Sequence, residues 1–150
     1  MILKNKVAII EAGIGAMSLG FVEAGFQIKE IFVKDRKAIE IHRKNIGGKI
    51  CERGLMELMP EEISDVDVIA IDLMQAFTSK NSGKSEFEPH GFNETPLKKT
   101  AEIIKWKRPH MFFLVMQKGM HKNPMWSGFC DEICQTGYNI TWRVLSSREI

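Results

Sequence analysis

With 150 residues, 44% of them hydrophobic, the chain suits one globular domain with one core, read here as a single unit over residues 1–150. Its 21 basic and 19 acidic residues are spread along the sequence and leave a formal net charge of +2, so there is no polyanion-binding arm and DNA binding by this chain alone is not expected. No N-terminal apolar stretch is long or uncharged enough for a signal peptide or a membrane span, and the expectation is a cytoplasmic protein without membrane contact.

The elements alternate between two periods. Lys6 to Ile10 is a compact apolar run, followed by a glycine turn, Glu11-Ala12-Gly13-Ile14-Gly15, and a helical pattern through Met17, Leu19, Gly20, Phe21 and Ala24 that closes at Gly25. A second strand, Ile28 to Val33, ends at Lys34-Asp35, and a helix carrying Ala38, Ile39, Ile41 and His42 runs toward Asn45 before Gly47-Gly48 breaks it. A short third strand lies near Ile50. Asp67 to Ile71 and Met111 to Met116 read as buried parallel strands, with a helix from Thr95 to Lys107 between them and Pro109 suited to its end. Trp126 to Thr136 reads as a helix stopped by Gly137, and Asn139 to Leu145 as a sixth strand. Such alternation predicts an α/β fold, a doubly wound and mostly parallel sheet with helices on both faces.

Thr78 to Glu94 breaks the pattern. It has no periodicity and follows the fourth strand, where long loops of doubly wound sheets cover a ligand crevice; a lid-like loop and a plain connection are both open. Within it, Ser82-Gly83-Lys84-Ser85 ends like a phosphate-binding loop but lacks the leading glycine and the following helix. Cys51, Cys130 and Cys134 are an odd set without zinc spacing, expected as reduced thiols that fill core positions. His42, His90, His110 and His121 are scattered, so no metal site is assembled. Trp106, Trp126 and Trp142 are expected in the core.

The glycine turn is the first candidate site. Gly13 and Gly15, after a strand and before a helix, let a ligand approach the backbone near a helix N-terminus. Asp35, at the tip of the second strand, is placed to take ribose hydroxyls. Ser18 stands where a dinucleotide fingerprint has a small Gly or Ala, and a turn kept for tight strand-to-helix packing is the other reading.

The order of several segments carries a resemblance. Glu11 to Gly20, then Glu23-Ala24-Gly25-Phe26, is similar to the opening motif of cytosine-5 DNA methyltransferases. Asp35 to Glu40, Asp67 to Thr78, Lys105 to Gly119 and Gly137 to Leu145 resemble that family's later segments in the same order. The resemblance implies a Rossmann-like S-adenosylmethionine-dependent methyltransferase fold. It would lack the C-terminal strand, which in the family inserts between the fifth and sixth, and the target-recognition domain.

What the resemblance implies for activity is mostly loss. The adenine-facing aromatic position of the family falls at Glu11, the ribose-binding acid at Val33 or Asp35, and the acid that meets the adenine amine near Gly54. The family's Pro-Cys-Gln nucleophile motif falls on Leu73-Met74-Gln75, and its Glu-Asn-Val on Val115-Met116-Gln117. A thioether has no proton to lose and cannot replace a thiolate, and Val115 cannot hydrogen-bond a flipped base. No catalytic residue is therefore assigned; Glu11, Gly13, Gly15 and Asp35 are the candidate S-adenosylmethionine contacts, and no metal is called for. The expectation is a catalytically inactive methyltransferase-like domain, an interaction or regulatory protein or a remnant. It should form a homo-oligomer or meet a partner protein at the sheet edge. The alternative is a cofactor-binding subunit of a split cytosine-5 methyltransferase that needs a partner chain, and an unrelated nucleotide binder is the remaining case.

Overall fold

The computed structural model describes residues 5–74 and 95–146. The expected loop from Thr78 to Glu94, with its phosphate-loop-like tetrapeptide, lies outside the described residues. Five strands form one all-parallel sheet: β1 (Lys6–Ile10), β2 (Gln27–Phe32), β3 (Lys49–Cys51), β4 (Val68–Asp72) and β5 (Met111–Val115), in the order β3-β2-β1-β4-β5. Four helices accompany them: α1 (Ala16–Glu23), α2 (Arg36–Asn45), α3 (Pro96–Lys107) and α4 (Pro124–Cys134).

The central strands are apolar throughout because both of their faces are covered. Along β1, Val7 and Ile9 point to one side, where Met17 and Phe21 of α1 and Ala38 and Ile39 of α2 complete a cluster with Ile31, Val33 and Ala70. Ala8 and Ile10 point to the other, into a cluster with Ile69, Ile71, Leu97, Ala101 and Ile104 of α3, and Trp126, Phe129 and Ile133 of α4. The period-two alternation of one strand thus feeds two cores, which makes the sheet doubly wound.

Side-chain caps fix three helix starts. The Asp35 carboxylate accepts from Ala38 N, Thr95 Oγ1 from Lys98 N, and Asn123 Oδ1 from Met125 N, the last two each followed by proline at the first helical position. The Asn123-Pro124 pair starts α4 two residues before the expected Trp126. Two 3-10 turns, Leu55–Glu57 and Pro60–Glu62, link β3 to β4 and were not legible in the apolar pattern.

The expected sixth strand is not there. Residues 139–145 form no ladder among the described residues. The segment is held instead by side chains: Tyr138 Oη donates to the Pro109 carbonyl, Ile140 packs against the core and the rings of Trp142 and His121 stack 4.6 Å apart. Its β-branched and aromatic content is strand-like, but a strand exists only where a neighbour meets its hydrogen bonds, and β5 is not reached. Two of the three tryptophans also depart from the expected core. Trp126 is buried, whereas Trp106 ends α3 on the surface and Trp142 lies in the unpaired segment, with exposures of 63% and 57%. Cys51 and Cys130 are half-buried and Cys134 is exposed, so the α4 pair is not a core pair.

Among the described residues, one buried side-chain polar group has no partner. Thr100 is fully buried in α3 and its hydroxyl makes no hydrogen bond. Exchanging it for the isosteric Val removes an unmet desolvation cost, so Thr100→Val should raise the unfolding free energy by about 1 kcal/mol. A urea titration measures this, and a loss of stability would show that the hydroxyl is satisfied.

Candidate cofactor crevice and the residues beside it

The loops at the carboxyl ends of the strands define the site, as in open parallel sheets generally. After β1 the backbone enters the left-handed region three times, at Glu11 (φ 57°), Gly13 (φ 52°) and Gly15 (φ 106°). Gly13 is open: a Cβ there would meet nothing within 4 Å. Gly15 is backed by the side chain of His42, whose Nε2 would stand 3.4 Å from an added Cβ. The turn is therefore supported from beneath and accessible from above, the arrangement that lets a ligand approach peptide N–H groups at the start of α1.

His42 is the residue that sequence reasoning left without a role. It is fully buried, with Nδ1 2.8 Å from the Ala38 carbonyl oxygen and Nε2 3.2 Å from Ser18 Oγ. A carbonyl can only accept, so in the neutral ring Nδ1 carries the proton and Nε2 accepts from the Ser18 hydroxyl. This explains Ser18, which breaks the small-residue fingerprint yet is itself fully buried. Serine and histidine join α1 to α2 below Gly15. Neither residue type nor spacing distinguishes such a pair from two surface residues, and only the fold brings positions 18 and 42 together.

Asp35 is exposed at the end of β2, and one carboxylate oxygen accepts from Ala38 N at 2.8 Å, so the helix cap already uses part of its capacity. Val33, the other position considered for the ribose acid, is buried. Glu11 turns away from the glycine turn: its Oε1 accepts from Leu55 N at 2.5 Å, and a Cβ on Gly54 would lie 3.3 Å from that oxygen. Gly13, Gly15 and Glu11 follow β1 and Asp35 follows the neighbouring β2, so all four lie at the carboxyl end of the sheet, with the Glu11 carboxylate engaged by Leu55 N.

Met74 and Val115 lie at the carboxyl ends of the neighbouring strands β4 and β5, two residues apart in register. Asp72 pairs with Val115 in the ladder, Leu73 N donates to the Val115 carbonyl at 2.8 Å, and Gln117 Nε2 donates to the Met74 carbonyl at 3.2 Å. Met74 N donates to Asp72 Oδ1 at 2.9 Å, which pins the backbone where a nucleophile would stand. Met74 is 38% exposed, so its thioether can be reached but has no thiolate form. The described cysteines do not replace it. Burial pushes the Cys51 thiol upward, and Cys51 ends β3, three strand spacings of about 4.8 Å from β4. Burial, with Cys134 beside it, likewise raises Cys130 on α4. Among the described residues no three His, Cys, Asp or Glu side chains gather as a metal site, and no helix is long and apolar enough to cross a membrane.

The outer side of β5 is the other exposed feature. Met111 and Phe113 alternate onto one face with exposures of 47% and 46%, and the Phe113 ring has an edge contact with Phe21 of α1, centroids 5.9 Å apart. Beyond β5, Trp142, Val144 and Leu145 are all exposed. Among the described residues no strand pairs with this edge of the sheet.

Comparison with known proteins gives one consistent family. The C-5 cytosine-specific DNA methylase family matches residues 6–150. The type II methyltransferase M.FnuDI of Fusobacterium nucleatum is 26% identical over 148 residues, covering 95% of this chain and 42% of the relative. The type II methyltransferase M.MthTI of Methanothermobacter thermautotrophicus is 26% identical over 153 residues, covering 98% of this chain and 45% of the relative. The chain therefore spans less than half the length of these curated relatives. A crystal structure of a Spodoptera frugiperda DNMT2 variant superposes with a TM-score of 0.66 at 19% identity, covering 87% of this chain and 41% of that one, a likeness of fold alone.

Proposed function

The chain belongs to the C-5 cytosine-specific DNA methylase family, and from that premise we propose that it is a methyltransferase-like domain without cytosine chemistry of its own, acting through a protein partner. The observation that carries this reading is the presence of Met74 and Val115 at the neighbouring carboxyl ends of β4 and β5. Leu73 N and the Val115 carbonyl hold the ends of β4 and β5 together, the two strand ends on which the resemblance puts a nucleophile and a base-holding group. The side chains at those positions can neither add to a pyrimidine ring nor hydrogen-bond one.

The partner's place is the open side of β5. A strand laid there would satisfy the outer backbone groups of Met111–Val115 and cover Met111 and Phe113. The occupant is a strand of a different chain, and light scattering that finds the purified protein to be a dimer would assign this edge to a second copy instead. Incubation of the purified protein with radiolabelled S-adenosylmethionine and DNA should transfer no methyl above a blank. Transfer by this chain alone overturns the reading. The variant carrying both Met74→Cys and Val115→Glu should also remain inactive, because target recognition is not supplied by the two side chains. Cytosine methylation by that variant on its own would contradict this.

A second reading is favoured by one observation, the open Gly13 with its positive φ after β1, with Asp35 exposed after the neighbouring strand β2. In it the chain is the S-adenosylmethionine-binding subunit of a split cytosine-5 methyltransferase. Calorimetric titration separates the two: micromolar S-adenosylmethionine binding supports the subunit, and its absence supports a domain that has outlived its cofactor.

A further inference from the structure

Glu11 has three properties that belong together. Its backbone is in the left-handed region at φ 57°, which disfavours a residue with a Cβ by about 1 kcal/mol. Its N–H donates to the Phe32 carbonyl at 2.9 Å, which fixes the residue against the end of β2. Its carboxylate then reaches on to Leu55 N at 2.5 Å, in the turn after β3. Since β2 lies between β1 and β3, this side chain bridges the crevice over the end of β2, immediately before Asp35.

The surroundings accommodate the bridge. Gly54 leaves room for the carboxylate, which already stands 3.3 Å from where a Cβ at that position would be. Leu55 N belongs to a buried residue and has Glu11 Oε1 as its acceptor. A buried N–H must be paired, so a molecule lying across these strand ends has to replace the carboxylate as acceptor as well as displace it.

We propose that Glu11 is a built-in competitor for the cofactor crevice, its carboxylate holding the Leu55 N–H that an acceptor atom of a bound ligand would otherwise take. The inference rests on the methyltransferase-like reading of the crevice and adds what controls entry to it. A carboxylate tethered in the same chain competes at high effective concentration, so the affinity of an adenine nucleoside is reduced by the fraction of molecules in which Glu11 is open. The competition also selects: only a ligand with an acceptor at the Leu55 position recovers what the carboxylate gave.

The test is calorimetric titration of S-adenosylmethionine into the wild type, Glu11→Ala and Glu11→Gly, the last chosen because glycine accepts the positive φ without strain. Both variants should bind at least ten-fold more tightly than the wild type. Amide exchange at Leu55 should be slow in the wild type, fast in the free variants and slow again when they are loaded. Equal affinity for all three proteins overturns the proposal, and so does the absence of binding in variants whose amide spectra show an intact fold. Either result leaves the loss of cytosine chemistry untouched, since that is judged by methyl transfer and not by affinity.

Discussion

Glu30→Ala should destabilise the protein by about 3 kcal/mol, the range seen when a buried acceptor is removed and its donors are left unpaired. Glu30 lies in β2 and is fully buried, with both oxygens engaged by one residue: Ser64 N donates to Oε1 at 2.5 Å and Ser64 Oγ to Oε2 at 3.0 Å. These bonds tie the segment leading into β4 against the sheet. Lys49 Nζ is 3.9 Å away and largely exposed, so that ion pair contributes little and Lys49→Ala should change stability by less than about 0.5 kcal/mol. Glu30→Gln keeps an acceptor for Ser64 N and fills the same volume, and it should cost about half as much as the alanine. Urea unfolding of the three variants measures the order. A Glu30→Gln variant as stable as the wild type or more so would mean that burying the carboxylate outweighs the two bonds it makes.

Much of the architecture was legible because it follows from local rules. The apolar run Val68 to Ile71 and the capping residues Asp35 and Thr95 each determine an element within a few residues of sequence. The glycine turn was equally readable, since Gly13 and Gly15 occupy backbone conformations that few other residues accept. The failures share a cause. Asn139 to Leu145 has strand composition, but pairing depends on a neighbour that composition cannot specify. Trp106 and Trp142 were expected inside on apolar character alone, and their exposure depends on what covers α3 and β5. Glu11 was legible in the turn after the first strand, and the direction of its carboxylate follows from Leu55, 44 positions away. That Met74 and Val115 lie at neighbouring strand ends needed the β4–β5 ladder, since 41 positions separate them in sequence.

His42→Ala is expected to cost about 3 kcal/mol, combining a cavity the size of an imidazole with a buried Ser18 hydroxyl deprived of its acceptor. Its functional reach exceeds its distance from any ligand, because the ring is the floor beneath Gly15 and joins α1 to α2. With that floor removed, Gly15 and Ser18 should lose amide-exchange protection while β4, on the other side of β1, keeps its own. Ser18→Ala alone should cost about 1 kcal/mol, and the double variant less than the sum of the singles by about 1 kcal/mol, the coupling of one buried hydrogen bond. Additivity within about 0.3 kcal/mol would show that the two side chains act independently and that Ser18 hydrogen-bonds elsewhere. A glycine turn kept only for chain reversal could tolerate such a loss of support. One that must present its N–H groups to a ligand in fixed positions could not, so the affinity of Glu11→Gly for S-adenosylmethionine should fall when His42→Ala is added. That drop links the buried pair to the crevice, and its absence would leave His42 a packing residue only.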